Sequence, residues 1–362
     1  MAVLHPVIAC DAKYRGYLGR NSWALCIGAG ISRGLSPTWL DLTVQLINEA
    51  FGTKMTALET EKMVAASGWS LDGWIQAAAN EFVRRGKTHD EFVELLESIL
   101  YSTIRAKAIG TKFEKYLTRV LNFPDSAPKD RVIEICDFLE SAFAGSSLLA
   151  LGQFLVRAAE SGRAPKAVIT FNADTFLETY IDLFLRRAHY TGPGPHGHPK
   201  FYYTSIIRPG TQAPAEIPIY HCHGTITPNY NSGKRPYDAR DRLIFLEQEY
   251  LSGSGNRASW AQTLFLFYAQ SSRLAFCGLS MSDTNIRRWM SAIEIERRVD
   301  KGLLAKGPIV NPENIWVRPK PKSVIEENIY LSSLLHLGIR PAWLDDWSQL
   351  QQALSNLTAL PT

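Results

Sequence analysis

Four short polar stretches in this chain each stand directly behind an apolar run. Gly28-Ala29-Gly30-Ile31-Ser32 follows the run from Ser22 to Ile27, and Asn172 and Asp174 follow Val168 to Phe171. His221 and His223 close the run that begins at Ile217, and Gly278, Ser280 and Asp283 follow Leu274 to Cys277. Each stretch suggests a chemistry and also a plainer use. Bare glycines let backbone N–H groups approach a phosphate at a helix N-terminus, and Ser32 adds a hydroxyl; the same glycines serve a tight strand–helix turn. Asn172 and Asp174 open a helical pattern, where Asn and Asp are preferred caps. His223 offers an imidazole that can exchange a proton near neutral pH, or fill a structural place. His221 two positions earlier brings a metal pair to mind, but no further ligands accompany it and no metal is expected. The dinucleotide pattern G-x-G-x-x-G needs glycine where Arg33 stands, and no ribose-binding acid follows a second strand. Hydride transfer on a dehydrogenase fold is therefore disfavoured.

The elements that must carry these residues are legible around them. The runs at 22–27, 168–171, 217–220, 274–277, 315–317 and 338–343 read as strands, the last before a closing helix at 347–357. Between the first two lies sequence of helical character only, with patterns near 70–86, 113–122, 130–144 and 147–160. Thr88-His89-Asp90-Glu91 is a capping box ahead of Phe92, Leu95, Leu96 and Ile99, one face of a helix. Strands alternating with helices predict an α/β fold with a Rossmann-like parallel sheet, from which the helical block emerges as a large insertion. The expected division is a sheet domain over 1–42 and 163–362 and a helical subdomain over 43–162. In an open parallel sheet, ligands bind outside the carboxyl ends of the strands. The polar stretches all sit at such ends and should converge on one crevice.

Composition sets the outer limits. With 46% hydrophobic and 20% charged residues among 362, the chain is an ordinary globular one, not a disordered or low-complexity one. A net charge of +4 does not by itself imply nucleic acid. Five dispersed cysteines form no C-x-x-C pair, which fits a reducing, cytoplasmic setting and excludes a zinc ribbon. The first residues show no secretory pattern, and no apolar run approaches the ~20 residues of a membrane span. One stretch, 183–215, has no acidic residue and carries Arg186, Arg187, Lys200, Arg208, His189, His196 and His198. It reads as a long loop, and it is the sole support for nucleic-acid contact.

Taken in order, Gly28-Ala29-Gly30-Ile31-Ser32, Thr170-Phe171-Asn172-Ala173-Asp174, His223-Gly224 and Gly278-Leu279-Ser280 resemble the sirtuin (SIR2) signature. The run Pro37-x-Trp39-x-x-Leu42, Asn172-x-Asp174-x-x-Leu177-Glu178 and Gly278 through Ile286 is similar to the bacterial SIR2-like branch used in anti-phage defence. Two features depart from protein-deacylating sirtuins. The four-cysteine zinc module is missing, and Ser36-Pro37-Thr38-Trp39 replaces their Pro-Asp-Phe-Arg segment. The resemblance therefore implies NAD+ hydrolysis to nicotinamide and ADP-ribose rather than peptide deacylation. It places Gly28, Ala29, Gly30 and Ser32 on the pyrophosphate, with Thr170 in the same binding set. It has Asn172 orient the ribose and the attacking water, and Asp174 hold the nicotinamide side or brace its loop. His223 becomes the general base on the ribose hydroxyls, while Gly278, Ser280 and Asp283 lie near the adenosine. It also implies a homo-oligomer and a HerA-like hexameric ATPase as partner. The rival readings are an NAD+ or ADP-ribose sensor, a deacylase or ADP-ribosyltransferase, and a nucleic-acid-processing subunit.

Overall fold

The computed structural model describes residues 6–19, 22–192, 200–210, 216–228, 239–249, 259–300, 302 and 312–360. Its centre is strand β2 (Trp23–Ile27), all five residues of which are buried. Side chains alternate across a strand. Trp23, Leu25 and Ile27 accordingly enter one hydrophobic cluster and Ala24 and Cys26 another, on the opposite face. Burial on both faces is why this segment is apolar throughout rather than alternating.

Around β2 the described residues form one all-parallel sheet. Its other strands are β1 (Val7–Ile8), β3 (Val168–Thr170), β4 (Tyr203–Ile206), β5 (Ile217–His221), β6 (Arg273–Cys277), β7 (Asn314–Pro319) and β8 (Ile339–Leu344). The order is β1-β8-β7-β6-β2-β3-β5-β4. From β2 the chain builds outward through β3 and β5, then returns to β2's other side with β6. The direction of building reverses at β2, and in an open parallel sheet such a switch point, at the carboxyl ends of the strands, is where ligands bind. The expected α/β class and parallel sheet are present.

Between β2 and β3 the described chain is helical: α1 (Trp39–Phe51), α2 (Ala57–Ser67), α3 (Leu71–Arg84), α4 (His89–Leu100), α5 (Ser102–Ala108), α6 (Leu117–Asn122), α7 (Lys129–Ala142) and α8 (Ser147–Glu160). The capping box at Thr88 and Glu91 starts α4 as its sequence predicts, and Thr38 with Asp41 forms a second one at α1. Buried side chains of this block join the same cluster as one face of the sheet, and Phe154 of α8 stacks 6.4 Å from Trp23. Helices α9 (Phe176–Thr191), α10 (Trp260–Ser271), α11 (Thr284–Asp300), α12 (Val324–Leu334) and α13 (Leu350–Thr358) follow the later strands.

Three local readings differ from the structure. The helix predicted over 113–122 is regular only from Leu117 to Asn122, because turns occupy the residues before it. The closing helix at 347–357 opens with a 3-10 turn at Trp347–Gln349. The stretch 183–215 is not all loop: its residues Tyr203–Ile206 form β4, paired in parallel with β5. The signal there was the aromatic and β-branched run Phe201 to Ile207, residue types that suit a pleated surface. His196 and His198 lie outside the described residues.

Candidate functional site

The loops after β2 and β6 are clasped backbone to backbone. Gly28 N–H donates to Cys277 O at 3.1 Å, and Gly30 N–H donates to Gly278 O at 2.9 Å. A Cβ at Gly30 would lie 2.8 Å from Gly278 O, and one at Gly278 would lie 2.4 Å from Ile31 N. Gly278 also has φ +70°, a region that costs any other L-residue. Glycine is required here by the close approach of two chains. Residues Ala29–Ser32 form a 3-10 turn rather than the start of a long helix; α1 begins only at Trp39. The N–H groups of Gly28, Gly30 and Ile31 are thus engaged within the protein, Ile31 with Gly28 O at 3.0 Å.

Strand β3 ends at Thr170, one residue before the expected limit, because Asn172 N–H turns back to Thr170 Oγ1 at 3.1 Å. Thr170 therefore shapes the loop that follows. The turn aims Asn172 and Asp174 at Ser32. Asn172 Nδ2 donates to Ser32 Oγ at 3.2 Å, and Ser32 Oγ donates to Asp174 Oδ2 at 3.1 Å. Asp174 Oδ1 accepts Phe176 N–H at 3.2 Å, so it caps the entry to α9 and anchors Ser32 at once. All three side chains are buried. One polar atom of the group is left over: Asn172 Oδ1 is buried without a hydrogen-bond partner. A buried acceptor in this condition costs about 1–3 kcal/mol. Burial pushes the Asp174 carboxyl up to about 6; the nearby Glu178 carboxylate adds to this, while the Phe176 and Ser32 donors oppose it.

His223 follows β5 and is 8% exposed. Its ring bonds to the Phe171 backbone and meets the Phe171 ring edge-on at 5.0 Å. Burial takes its pKa down to about 4, opposed by the Phe171 bond. The ordinary histidine value assumed from the sequence does not hold here, and the ring is neutral at pH 7. Gly224 beside it has φ +74°, and a Cβ would lie 2.7 Å from Arg242 O. The β3 and β5 loops are joined by Ile226 N–H to Ala173 O at 2.7 Å. Gly28, Ala29, Gly30, Ser32, Asn172, Asp174 and His223 thus sit on the loops that follow β2, β3 and β5 at one end of the sheet.

The β6 loop is placed differently. Ser280 is exposed and its hydroxyl lies 2.6 Å from that of Ser282. Asp283 caps α11, accepting N–H groups of Asn285 at 2.8 Å and Ile286 at 3.1 Å. Met281 between them has φ 56°, unusual for a residue with a side chain. On α3, Asp72 accepts from Trp39 Nε1 at 3.3 Å. Burial raises the Asp72 pKa, and the carboxylates of Asp283 and Glu247 raise it further. Among the described residues, no three His, Cys, Asp or Glu side chains are grouped as metal ligands would be.

Residues 166–326 match the family model of the SIR2-like domain. The matched span runs from just before β3 into α12, and holds Asn172, Asp174, His223 and Gly278 through Asp283. Strand β2 and Gly28 to Ser32 lie outside it; their place in the site rests on the clasp and on Ser32. No curated protein matches the chain.

Sequence reasoning missed the braces of these loops. Tyr101, at the end of α4, is 1% exposed. Its hydroxyl donates to Ile226 O at 2.7 Å and accepts Thr175 N–H at 3.2 Å, tying the β5 loop to the start of α9. Ser36 Oγ reaches Leu100 O at 3.1 Å and ties the β2 loop to the same helix end. A tyrosine in a helical run carries no signal for either role. His221, which suggested half of a metal pair, instead lies with Nε2 3.1 Å from Glu178 Oε1.

Proposed function

We propose that this crevice binds NAD+ and hydrolyses its N-glycosidic bond, releasing nicotinamide and ADP-ribose. The observation that carries the reading is the interlock of Ser32, Asn172 and Asp174 at the sheet's switch point, with Asn172 Oδ1 left unpartnered. An orphaned acceptor held rigidly in a crevice suits a ligand hydroxyl or a water. The SIR2-like match supports NAD+ as the ligand that brings it. Nicotinamide leaves as a neutral molecule, so the barrier lies in a cation-like ribose and its capture by water. Asn172 Oδ1 would accept from the ribose or from that water. Neutral His223 would accept a hydroxyl proton, a contribution of about 10²–10⁴ in rate. Asp174 above its pKa would set a negative charge near the developing cation, and Thr170 and Ser32 would hold the two side chains in place. Gly28, Ala29 and Gly30 would let the pyrophosphate close on the clasp, with Gly278, Ser280 and Asp283 toward the adenosine.

The arginines of the stretch 183–215 give little support to nucleic-acid processing, since each is paired with an acid. Arg186 pairs with Asp182, Arg187 with Asp137 and Glu140, and Arg208 with Asp241. By the same resemblance that suggests hydrolysis, we propose that the activity depletes NAD+ in anti-phage defence, with control by self-assembly or by a HerA-like ATPase. The test is chromatographic. Purified protein with NAD+ should yield nicotinamide and ADP-ribose in equal amounts, while Asn172→Ala and His223→Ala remain folded and yield little. Bound but intact NAD+ would make the chain a sensor, and release of nicotinamide only with an acetylated peptide would make it a deacylase.

A further inference from the structure

The strand beside β6, on the side away from β2, carries a cation at its carboxyl end. Strand β7 pairs with β6 in parallel, with Val317 opposite Cys277. Arg318, one residue further on, stands level with Gly278, where the loop bearing Ser280 and Asp283 begins. Trp316 and Arg318 are two apart and share one side of the sheet. Trp316 Nε1 donates to Leu279 O at 2.7 Å, which ties the β6 loop to that side.

The Arg318 guanidinium lies against two rings. Its Cζ is 4.5 Å from the ring centroid of Trp316 and 4.4 Å from that of Tyr330 on α12. Aromatic faces hold a guanidinium by its plane and leave the in-plane N–H donors to other groups. Arg318 is half-buried, and among the described residues no carboxylate pairs with it and no hydrogen bond uses its donors. Glu327, three residues before Tyr330 and on the same side of α12, is already engaged. It meets Lys320 Nζ at 3.3 Å and Trp343 Nε1 at 3.1 Å. A fixed fork with unused donors suits a planar or tetrahedral oxyanion.

Resting on the NAD+-hydrolase reading, which sets the adenosine toward Gly278, Ser280 and Asp283, we propose that Arg318 is a specificity-determining residue that receives the 2′-phosphate of NADP+ and makes it a substrate alongside NAD+. In dinucleotide-binding sheets an acid near the adenosine ribose suits a free 2′-hydroxyl, whereas an arginine accommodates a 2′-phosphate. Here the strand end beside the β6 loop bears the arginine. The exposed hydroxyls of Ser280 and Ser282, 2.6 Å apart, add neutral donors on the adjoining loop. The bond cleaved is the same in both dinucleotides. Nicotinamide leaves with the electron pair of the C–N bond, the oxygen of water joins the ribose carbon, and one proton is released.

Nucleotide binding tests the subsite without turnover. 2′,5′-ADP differs from 5′-AMP by the 2′-phosphate, and 3′,5′-ADP has the same charge with the phosphate displaced. In calorimetric titration the protein should bind 2′,5′-ADP about 10- to 100-fold more tightly than 5′-AMP, the worth of a charged hydrogen bond or two. It should bind 3′,5′-ADP little better than 5′-AMP. Arg318→Met keeps an unbranched stem against the rings and should abolish the advantage; Arg318→Lys, a point charge without the fork, should keep part of it. Equal binding of 2′,5′-ADP and 3′,5′-ADP, or an advantage that survives in Arg318→Met, overturns the proposal. In turnover, the ratio of kcat/KM for NADP+ to that for NAD+ should fall in Arg318→Met by the same factor. An arginine with a merely structural role would lower both and leave the ratio unmoved. Should Arg318→Met not fold, the three nucleotides on the parent protein decide alone. A 2′-phosphate advantage that Arg318→Met abolishes, with neither dinucleotide hydrolysed, would uphold the subsite and refute the hydrolase reading.

Discussion

Asp174 and His223 should load the folded state in opposite directions across the same pH range. Asp174 titrates at about 6 in the fold, against an ordinary value of 3.8. Below 3.8 the group is protonated in both states and costs nothing; as pH rises through 6 the fold must ionise a buried carboxyl and loses about 3 kcal/mol. His223 titrates at about 4, against 6.5. Its contribution is intact above 6.5 and is lost as pH falls toward 4, again by about 3 kcal/mol. In the parent protein the two slopes largely cancel. Single substitutions expose them. Asp174→Asn should exceed the parent by ~3 kcal/mol at pH 7.5, less the value of any hydrogen bond it weakens, and this margin should shrink by ~2 kcal/mol at pH 4.5. His223→Gln should move the other way, gaining ~2.5 kcal/mol on the parent over the same descent. Urea unfolding at fixed pH values gives both margins directly. Flat margins, or two of the same sign, would refute the argument that burial dominates both ionisations.

Removing the Tyr101 hydroxyl with Phe should cost about 1–3 kcal/mol, since Ile226 O and Thr175 N–H lose a buried partner. In a turnover assay the same variant should lower kcat more than it raises KM, because the β5 loop and the start of α9 lose their common brace. Gly278→Ala should destabilise by several-fold more than Gly34→Ala, measured as loss of melting temperature. Both glycines have positive φ, but a Cβ at Gly278 strikes Ile31 N whereas nothing lies within 4 Å at Gly34. Strain of about 1–2 kcal/mol is then common to both, and the clash is peculiar to Gly278. Asn172→Ala should lower NAD+ turnover by about 10²-fold or more with little change in melting temperature, as it removes a donor to Ser32 and an acceptor that was already unsatisfied.

The parallel sheet was readable because its strands are buried on both faces and so appear as unbroken apolar runs, as at Trp23 to Ile27 and Leu274 to Cys277. The polar residues directly behind those runs were readable for the same reason. What escaped depended on tertiary contact. Strand β4 exists through pairing with β5, and of its residues Tyr203 to Ser205 are only partly buried while Ile206 is buried. Tyr101 lies in a helical run and gains its role where α4 meets two loops from distant sequence. His223 looked like a base of ordinary strength, because the burial that lowers its pKa comes from Phe171 and from the chain around it. Ser32 looked like a phosphate donor, whereas the fold commits its hydroxyl to Asp174.

The most direct measurement follows NAD+ in the presence of the purified protein by proton NMR, in parallel with Asn172→Ala. The nicotinamide ring resonances should convert from those of the dinucleotide to those of free nicotinamide, with ADP-ribose appearing in step, in the parent protein and not in the variant. NAD+ that persists unchanged with the parent protein, or that is consumed equally by Asn172→Ala, would contradict the assignment of this crevice as an NAD+ hydrolase site.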